Sequence, residues 1–374
     1  MWGKGVKITS IDGFDIKVDA SWLLIATLIV WSLATGYFPS KLPLADPSTL
    51  VGLAVIAMLG LFGSLILHEL AHAVVARRFG LNIHGITLFL FGGVAELQTE
   101  PTDGRSEFWI AIAGPIASLC IALGFWGGAQ FLTVVGFPEA AQLVFQYLAT
   151  VNLVLAIFNL LPAFPMDGGR VYRAWLWTRS GNLLAATRYA TTVSAVFAYM
   201  FMMLGFYAAF SGDLAVGLWP ILIGLFLLAT SRAALARLET EIALGARTVE
   251  DLMTRAPWTA RPYQTLSEVV DSVFLDHGII FAPVIENNTL LGYVDLQLVQ
   301  RIDRENWANT TVEDVIESTR EENTVLPEMQ GRDLMERILK TGRRKFLVAG
   351  EYGLVGVITL SDLLAYLRVS QEIG

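Results

Sequence analysis

Long apolar runs separated by short polar intervals occupy most of the chain as far as Arg237. An apolar run of about 20 residues is long enough to cross the hydrocarbon core of a bilayer as a helix. The pattern therefore predicts a polytopic α-helical membrane domain. Its six predicted spans are Ser21–Tyr37, Leu50–Val75, Phe108–Phe125, Gln142–Leu161, Thr191–Phe210 and Ala215–Ala229.

Two shorter stretches alternate apolar and polar residues with a period of two, which is typical of strands. Residues 4–19 predict a short strand pair or an interfacial segment. Residues 83–99 contain the pair Gly92-Gly93 among β-prone residues, and they predict a short β-hairpin or a re-entrant strand. We expect this segment to lie beside the second span.

An internal repeat follows Arg237, where the composition becomes that of a soluble protein. Thr248-Val-Glu-Asp-Leu-Met recurs as Thr311-Val-Glu-Asp-Val-Ile, and Leu291-Gly292-Tyr-Val-Asp recurs as Val355-Gly356-Val-Ile-Thr. Two copies of about 60 residues that mix helix and strand patterns indicate a tandem α+β module. The predicted domains are residues 1–239, 240–304 and 305–374.

Charge is divided unevenly between these parts. Only 16% of the 374 residues are charged, whereas about 25% is usual in soluble proteins. Residues 1–240 hold 13 basic and 13 acidic side chains, and residues 241–374 hold 13 and 21. An acidic surface without basic clusters argues against nucleic acid as a partner.

The basic residues of the membrane part indicate its orientation, because cytoplasmic loops are enriched in lysine and arginine. With the N-terminus in the cytoplasm, the outer loops hold only Lys41. Both termini are then cytoplasmic. The residues on the inner side are Lys4, Lys7, Lys17, Arg77, Arg78, Arg105, Arg170, Arg173, Arg179, Arg188, Arg232 and Arg237.

The second span contains His68-Glu69-x-x-His72. Helical residues four apart share a face, so the two imidazoles are able to converge on one metal ion. A hydrolytic zinc site takes three protein ligands and keeps one position for water. Glu69 is placed to accept a proton from that water. Ionisable groups within a span cost about 2.5–3.5 kcal/mol and usually mark a functional site.

A third ligand is predicted after the fourth span, in the stretch Asn159-Leu-Leu-Pro-Ala-Phe-Pro-Met-Asp167-Gly168-Gly169. Its two prolines stop the helix, and its two glycines are expected to form a tight turn that returns Asp167 to the bundle. By itself the Asp-Gly-Gly sequence is more often a surface turn, but beside a His-Glu-x-x-His pair that lacks a third ligand it becomes the best candidate for that ligand. Asn159 has two open interpretations, a hydrogen bond between packed helices or a donor to the backbone of a substrate.

The His68-to-His72 motif and the Asn159-to-Gly169 stretch together resemble the site-two protease family of intramembrane zinc metalloproteases. Phe91-Gly92-Gly93 and Ala113-Gly114-Pro115 fit the same pattern, and the resemblance covers about residues 1–240. It implies a multi-pass protein, in the plasma membrane of a prokaryote, that cuts transmembrane segments. The implied roles are one zinc ion on His68, His72 and Asp167, a general base at Glu69, and substrate contacts at Gly92, Gly93 and Asn159.

The repeated tail resembles a pair of cystathionine-β-synthase (CBS) domains. In such domains a Gly-x-x-Thr-x-x-Asp segment often binds the ribose of an adenine nucleotide. The second copy keeps this segment with Thr359 and Asp362, whereas the first has Asp295 and Leu298 at those positions. The resemblance therefore implies at most one nucleotide site of this kind, at Thr359 and Asp362, and a homodimer formed through the pair.

Three functions from different classes are compatible with these features. The leading hypothesis is a zinc-dependent endopeptidase that acts on membrane-anchored proteins in regulated intramembrane proteolysis and is modulated by a nucleotide on the CBS pair. A non-proteolytic membrane sensor of metal or nucleotide is the second, and a metal-ion transporter is the third. Glu69 favours the protease, since a structural or transport site does not need an acid that binds no metal.

Overall fold

The computed structural model describes residues 5–11, 13–81, 83–89, 92–97, 101–212, 214–351 and 353–373. The chain divides into two compact units, residues 1–235 and residues 236–374. The two units are described separately below.

The first unit is built on helices, and six stretches of the described residues, the last of which continues past residue 235, are long and apolar enough to cross a membrane. They are Ser21–Lys41, Pro47–Arg78, Gly104–Val134, Glu139–Asn159, Leu183–Phe210 and Val216–Gly245. The prediction of six spans is confirmed. The helices are α1 (Ser21–Ser32), α2 (Phe38–Lys41, after a π-helical turn at Leu33–Tyr37), α3 (Pro47–Arg78), α4 (Gly104–Val134), α5 (Glu139–Asn159), α6 (Asp167–Ser180), α7 (Leu183–Phe210) and α8 (Leu214–Gly245).

Several of these helices extend beyond the apolar runs that predicted them, because polar residues begin and end them. α3 starts after Asp46, whose side chain accepts a hydrogen bond from the backbone N–H of Thr49, and it ends on Arg77 and Arg78. A carboxylate at the start of a helix and a cation at its end both interact favourably with the helix dipole and stabilise the helix. The hydrophobic pattern therefore locates the membrane core of each helix but not its ends.

α3 and α4 pack together at the centre of this unit, and α4 also packs against α5 and α6. Their buried faces consist largely of small residues, since alanine, glycine and serine let helices approach closely in a membrane. Those of α3 include Ala54, Ala57, Ser64, Ala73 and Ala76. The close fit of α3 and α4 positions the site described below.

Four strands form one sheet in the order β1 (Val6–Ile11), β2 (Phe14–Val18), β3 (Ile83–Phe89) and β4 (Gly92–Leu97). The outer pairs are antiparallel, and β2 pairs with β3 in parallel. A Cβ at Gly85 would lie 2.5 Å from the carbonyl oxygen of Asp15, so this glycine allows the two pairs to join. Both strand pairs agree with the sequence pattern, but their union was not predicted. β4 is an edge strand of this sheet.

The segment around Asp167 differs from the expectation of a tight turn. Asp167, Gly168 and Gly169 are the first residues of α6, and neither glycine has a positive φ. A Cβ on Gly168 would lie 2.3 Å from the carbonyl oxygen of Leu160, and one on Gly169 would lie 2.7 Å from the carbonyl carbon of Ala163. The glycines are therefore needed because α6 starts against the preceding loop, and not because the backbone reverses there.

The second unit contains two related halves. Each has a hairpin, formed by Phe281–Glu286 and Thr289–Asp295 in one and by Lys345–Gly350 and Gly353–Thr359 in the other. The register shifts at Val284/Ile285 in the first hairpin and at Val348/Ala349 in the second. The repeated Thr-Val-Glu-Asp sequences form capping boxes in which Thr248 and Thr311 exchange hydrogen bonds with Asp251 and Asp314. The hairpins and the helix caps of the two halves therefore show the predicted repeat. An apolar cluster joins the hairpins through Phe281, Tyr293, Leu347 and Val357.

The sheets of this unit have the strand orders β5-β11-β10-β9 and β6-β7-β8. The strands are β5 (Thr254–Arg255), β6 (Phe281–Glu286), β7 (Thr289–Asp295), β8 (Glu317–Ser318), β9 (Thr324–Val325), β10 (Lys345–Gly350) and β11 (Gly353–Thr359). The α-helices are α9 (Val249–Leu252), α10 (Leu266–Val269, continued by a π-helical turn at Val270–Leu275), α11 (Leu296–Val299), α12 (Gly331–Thr341) and α13 (Leu360–Ile373). Short 3-10 turns occupy Arg304–Asn306, Val312–Asp314 and Glu321–Asn323.

Candidate metal centre

His68, His72 and Asp167 lie together inside the helical unit, where one ligand atom from each falls within 4.8 Å of the others. The Nε2 atom of His68 lies 3.1 Å from Asp167 Oδ2, and that of His72 lies 3.2 Å from the same oxygen. The two Nε2 atoms are 3.2 Å apart. The imidazoles come from successive turns of α3, and the carboxylate comes from the first residue of α6.

α4 orients both imidazoles from their far side. The Nδ1 atom of His72 lies 2.6 Å from the carbonyl oxygen of Ile110, and that of His68 lies 2.8 Å from Ser118 Oγ. Gly114 lies between these two positions, so all three fall at intervals of four on one face of α4. A Cβ at Gly114 would lie 2.2 Å from His72 Nε2. Glycine at this position therefore makes room for the donor atoms.

These contacts determine which ring nitrogens face inward as lone pairs. A carbonyl oxygen only accepts hydrogen bonds, so the neutral ring of His72 carries its proton on Nδ1 and turns an unprotonated Nε2 towards Asp167. Ser118 allows the same arrangement in His68. Two nitrogen lone pairs and a carboxylate oxygen then face one point, an arrangement that a cation satisfies.

The spacing of the three atoms also fits zinc. A tetrahedral ion with bonds of about 2.0–2.1 Å separates its ligand atoms by about 3.3–3.4 Å. The observed separations of 3.1, 3.2 and 3.2 Å are close to that value. Three protein donors are the usual number in catalytic zinc sites, which leave the fourth position to water or substrate.

Glu69 lies between the two histidines in sequence, yet its carboxylate is not part of the donor cluster. The side chain is half-buried and makes no hydrogen bond to the part of the chain that the structure describes. A carboxylate that is shielded from bulk water and has no partner is suited to accept a proton.

The predicted substrate contacts lie on two different elements. Asn159 is the last residue of α5, and its half-buried side chain makes no hydrogen bond to the described residues. Gly92 and Gly93 begin the edge strand β4 and pair with Phe89 and Leu88. The third residue of the Phe-Gly-Gly sequence, Phe91, lies outside the described residues.

Thr359 and Asp362 join the end of β11 to the start of α13. The Thr359 hydroxyl lies 2.9 Å from Asp362 Oδ2, and the Thr359 backbone N–H donates to the same oxygen. In the first copy, Asp295 takes the place of the threonine, and its carboxylate pairs with Lys345 Nζ at 2.6 Å. The equivalent position of the first copy is therefore occupied by an ion pair between the two halves.

Comparison with known proteins places these features in a family. The sequence model of Peptidase family M50 matches residues 56–143 and 135–204, and that of the CBS domain matches residues 249–299 and 312–369. Rip3 of Mycobacterium tuberculosis, a protein named as a zinc metalloprotease, is 34% identical over 97% of this chain and 93% of its own length. The chain belongs to Peptidase family M50.

A zinc metalloprotease of Methanocaldococcus jannaschii is 28% identical over 97% of this chain and 96% of its own length. The solved structure of the site-2 protease from that organism is 28% identical, covers 61% of this chain and 94% of its own, and superposes with a TM-score of 0.41. The two family models and the similarity to Rip3 confirm the resemblance to site-two proteases and to a CBS pair. The protein is a membrane-embedded zinc metalloprotease whose substrates are membrane proteins.

Sequence reasoning located the candidate metal ligands and the acid beside them, but it missed the residues that orient them. Ser118 and the backbone of Ile110 lie on a different helix from the histidines, so no motif connects them. The available signal was the helical spacing from Gly114, part of the Ala113-Gly114-Pro115 sequence, to Ser118 one turn later.

Proposed function

We propose that the chain uses one zinc ion on His68, His72 and Asp167 to hydrolyse peptide bonds within membrane-spanning segments, as a step of regulated intramembrane proteolysis. The observation that carries the proposal is the triangle of ligand atoms from His68, His72 and Asp167, beside a Glu69 carboxylate that has no hydrogen-bond partner among the described residues. When bound, zinc lowers the pKa of a bound water to about 7 and polarises a carbonyl.

In this proposal Glu69 accepts the proton of the attacking water and later delivers it to the leaving amine. Glu69 follows His68 directly and therefore lies on α3 with both histidines. Its carboxylate is not one of the three grouped ligand atoms, so its lone pairs are available to accept a proton. Neither a sensor with a structural metal nor an ion transporter has a use for such a group. The geometry therefore favours hydrolysis over both alternatives.

A peptide bond inside a transmembrane helix is engaged in helical hydrogen bonds and must be unwound before it is cut. We propose that an edge of β4 near Gly92 and Gly93 pairs with the unwound segment and replaces those hydrogen bonds. The position of β4 at the edge of its sheet supports this role. The amide of Asn159, which has no partner among the described residues, would hold the same segment.

The proposed location is the plasma membrane of a prokaryote, with both termini in the cytoplasm. Its support is the distribution of lysine and arginine, which the positive-inside rule assigns to cytoplasmic loops. Cysteine labelling at the two termini in intact and opened cells tests the orientation. Labelling of either terminus from outside intact cells would contradict it.

A nucleotide on the second CBS copy is proposed as a modulator of cleavage. Its support is local: Thr359 and Asp362 are partly exposed, whereas the equivalent position of the first copy is closed by the pair of Asp295 and Lys345. We propose one adenine nucleotide per chain for this reason.

The ligand assignment is tested with Asp167→Ala. This variant should bind zinc at least 10-fold more weakly and lose cleavage of a reconstituted single-span substrate, because two imidazoles alone remain. Zinc affinity is measured by competition with a chelator, and the exposed acid Glu139 supplies the control Glu139→Gln. Unchanged zinc affinity in Asp167→Ala would assign the third ligand to another residue.

A further inference from the structure

A buried ion pair connects α4 and α6 close to the metal centre. Glu107, in the first turn of α4, is fully buried. Its carboxylate accepts hydrogen bonds from Arg173 of α6. The Nε atom of Arg173 lies 2.9 Å from Oε1 and 3.2 Å from Oε2, and its Nη2 atom donates a further hydrogen bond to Oε1. The Nε atom of Arg170 lies 3.8 Å from the same carboxylate. Nothing in the proposed chemistry uses these groups directly.

α6 carries Asp167 as its first residue, and Arg173 follows six residues later on the same helix. At about 1.5 Å per residue, the two positions are separated by about 9 Å along the helix axis. Arg173 also lies over the ring of Phe164, 5.4 Å from its centroid, in the loop that leads into Asp167. One side chain thus contacts both the helix start of α4 and the loop before the carboxylate.

α4 is also the helix that orients the histidines. Ile110 lies three residues after Glu107, and Ser118 lies two turns beyond Ile110. The ion pair therefore connects the helix that fixes the two imidazoles to the helix that supplies the carboxylate. Gly104 brings the same two helices together sterically, since a Cβ there would lie 2.7 Å from the carbonyl oxygen of Ala174. A forked hydrogen-bonded pair restrains how far α6 slides along α4.

We propose that Glu107 and Arg173 are positioning residues, which hold Asp167 at the distance from the two imidazoles that zinc requires. This inference rests on the proposed function, in which Asp167 binds the metal. A buried arginine–carboxylate pair suits the task, because its two-pronged geometry has little freedom and either charge left alone would be costly. The competing interpretation is that the pair only stabilises the fold.

The test is a double-mutant cycle read by zinc affinity, with Glu107→Gln and Arg173→Lys each made in the wild type and in Asp167→Ala. The lysine variant keeps the positive charge but loses the fork. Arg179→Lys on the same helix is the matched control, since Arg179 is exposed and lies over Trp175. Thermal unfolding of the metal-free proteins is recorded in parallel.

We expect each positioning variant to weaken zinc binding about 10–100-fold when Asp167 is present, as substitutions behind metal ligands commonly do. In Asp167→Ala the same substitutions should change the affinity less than about 2-fold, because the group that they position is gone. The control should behave as wild type. If Glu107→Gln does not fold, Arg173→Lys carries the same comparison.

Equal losses with and without Asp167 would show a role in general stability and overturn the proposal, as would unchanged zinc affinity in both positioning variants. Failure of the proposed function gives a different result. In that case Asp167→Ala itself leaves the zinc affinity unchanged, whatever the positioning variants do.

Discussion

The carbonyl oxygen of Ile110 orients the imidazole ring of His72, which the His-Glu-x-x-His motif alone does not do. It accepts a hydrogen bond from Nδ1, and Nε2 lies 3.2 Å from the carboxylate oxygen of Asp167. Outer contacts of this kind fix the tautomer and the ring orientation of metal-binding histidines. A His-Glu-x-x-His sequence supplies the two rings, but a neighbouring helix supplies their direction.

A substitution at Gly114 tests whether the two histidine rings lie against α4 as described. In Gly114→Ala the added methyl group would lie 2.2 Å from His72 Nε2 and 2.6 Å from His68 Nε2, so we expect loss of zinc binding and of cleavage. Gly124→Ala on the same helix is the control, because a Cβ there meets nothing within 4 Å. Zinc binding at the wild-type level in Gly114→Ala would mean that the rings do not approach α4 as described.

At the scale of elements, α6 shows where sequence reasoning was incomplete. The prolines and glycines that follow α5 in sequence predicted a break there, and that break is present. The same glycines were assigned to a turn, whereas they lie inside the first turn of a helix. Glycine is required at both positions because a Cβ there would clash with carbonyl groups of the preceding loop. A single sequence does not reveal that contact.

The glycines of α6 provide the second test. Alanine is normally favoured over glycine inside a helix by up to about 1 kcal/mol. In Gly168→Ala, however, the new Cβ would lie 2.3 Å from the carbonyl oxygen of Leu160, so α6 must shift and carry Asp167 with it. We expect weaker zinc binding by chelator competition, with Gly52→Ala as the unhindered control. Equal affinity in the two variants would contradict this account of α6.

The spans, the repeat and the two strand pairs were predictable because each has a local period or a recurring sequence. The union of the strand pairs was not, since β2 and β3 are distant in sequence and pair in parallel. The ion pair of Glu107 and Arg173 was missed for a related reason. Arg173 was counted only among the basic residues of the membrane part, and only the packing of α4 on α6 brings it to Glu107.

In the whole molecule, the membrane protease and the CBS pair are joined in one chain, and we propose that a ligand of the pair affects cleavage. It does so only to the extent that it binds two states of the enzyme with different affinity. The homodimer expected through the pair stays a prediction, and so do the boundaries at residues 239 and 304.

Nucleotide control is tested by titrating the purified enzyme with adenine nucleotides while a single-span substrate is cut. The cleavage rate of the wild type should change with nucleotide, and that of Asp362→Ala should not, because the proposed ribose contact is removed. Asp333→Ala, an exposed acid on α12, is the control. A rate independent of nucleotide in the wild type, together with normal cutting by a chain truncated after Leu238, would leave the pair without this role.

In the proposed mechanism Glu69 is the general base of a zinc-dependent peptidase, and Glu69→Gln removes that base alone. Zinc content and cleavage of a reconstituted single-span substrate are measured on the same preparation. We expect the variant to keep its zinc, because all three donors remain, and to lose cleavage of the substrate. Cleavage at the wild-type rate by zinc-loaded Glu69→Gln would contradict this mechanism.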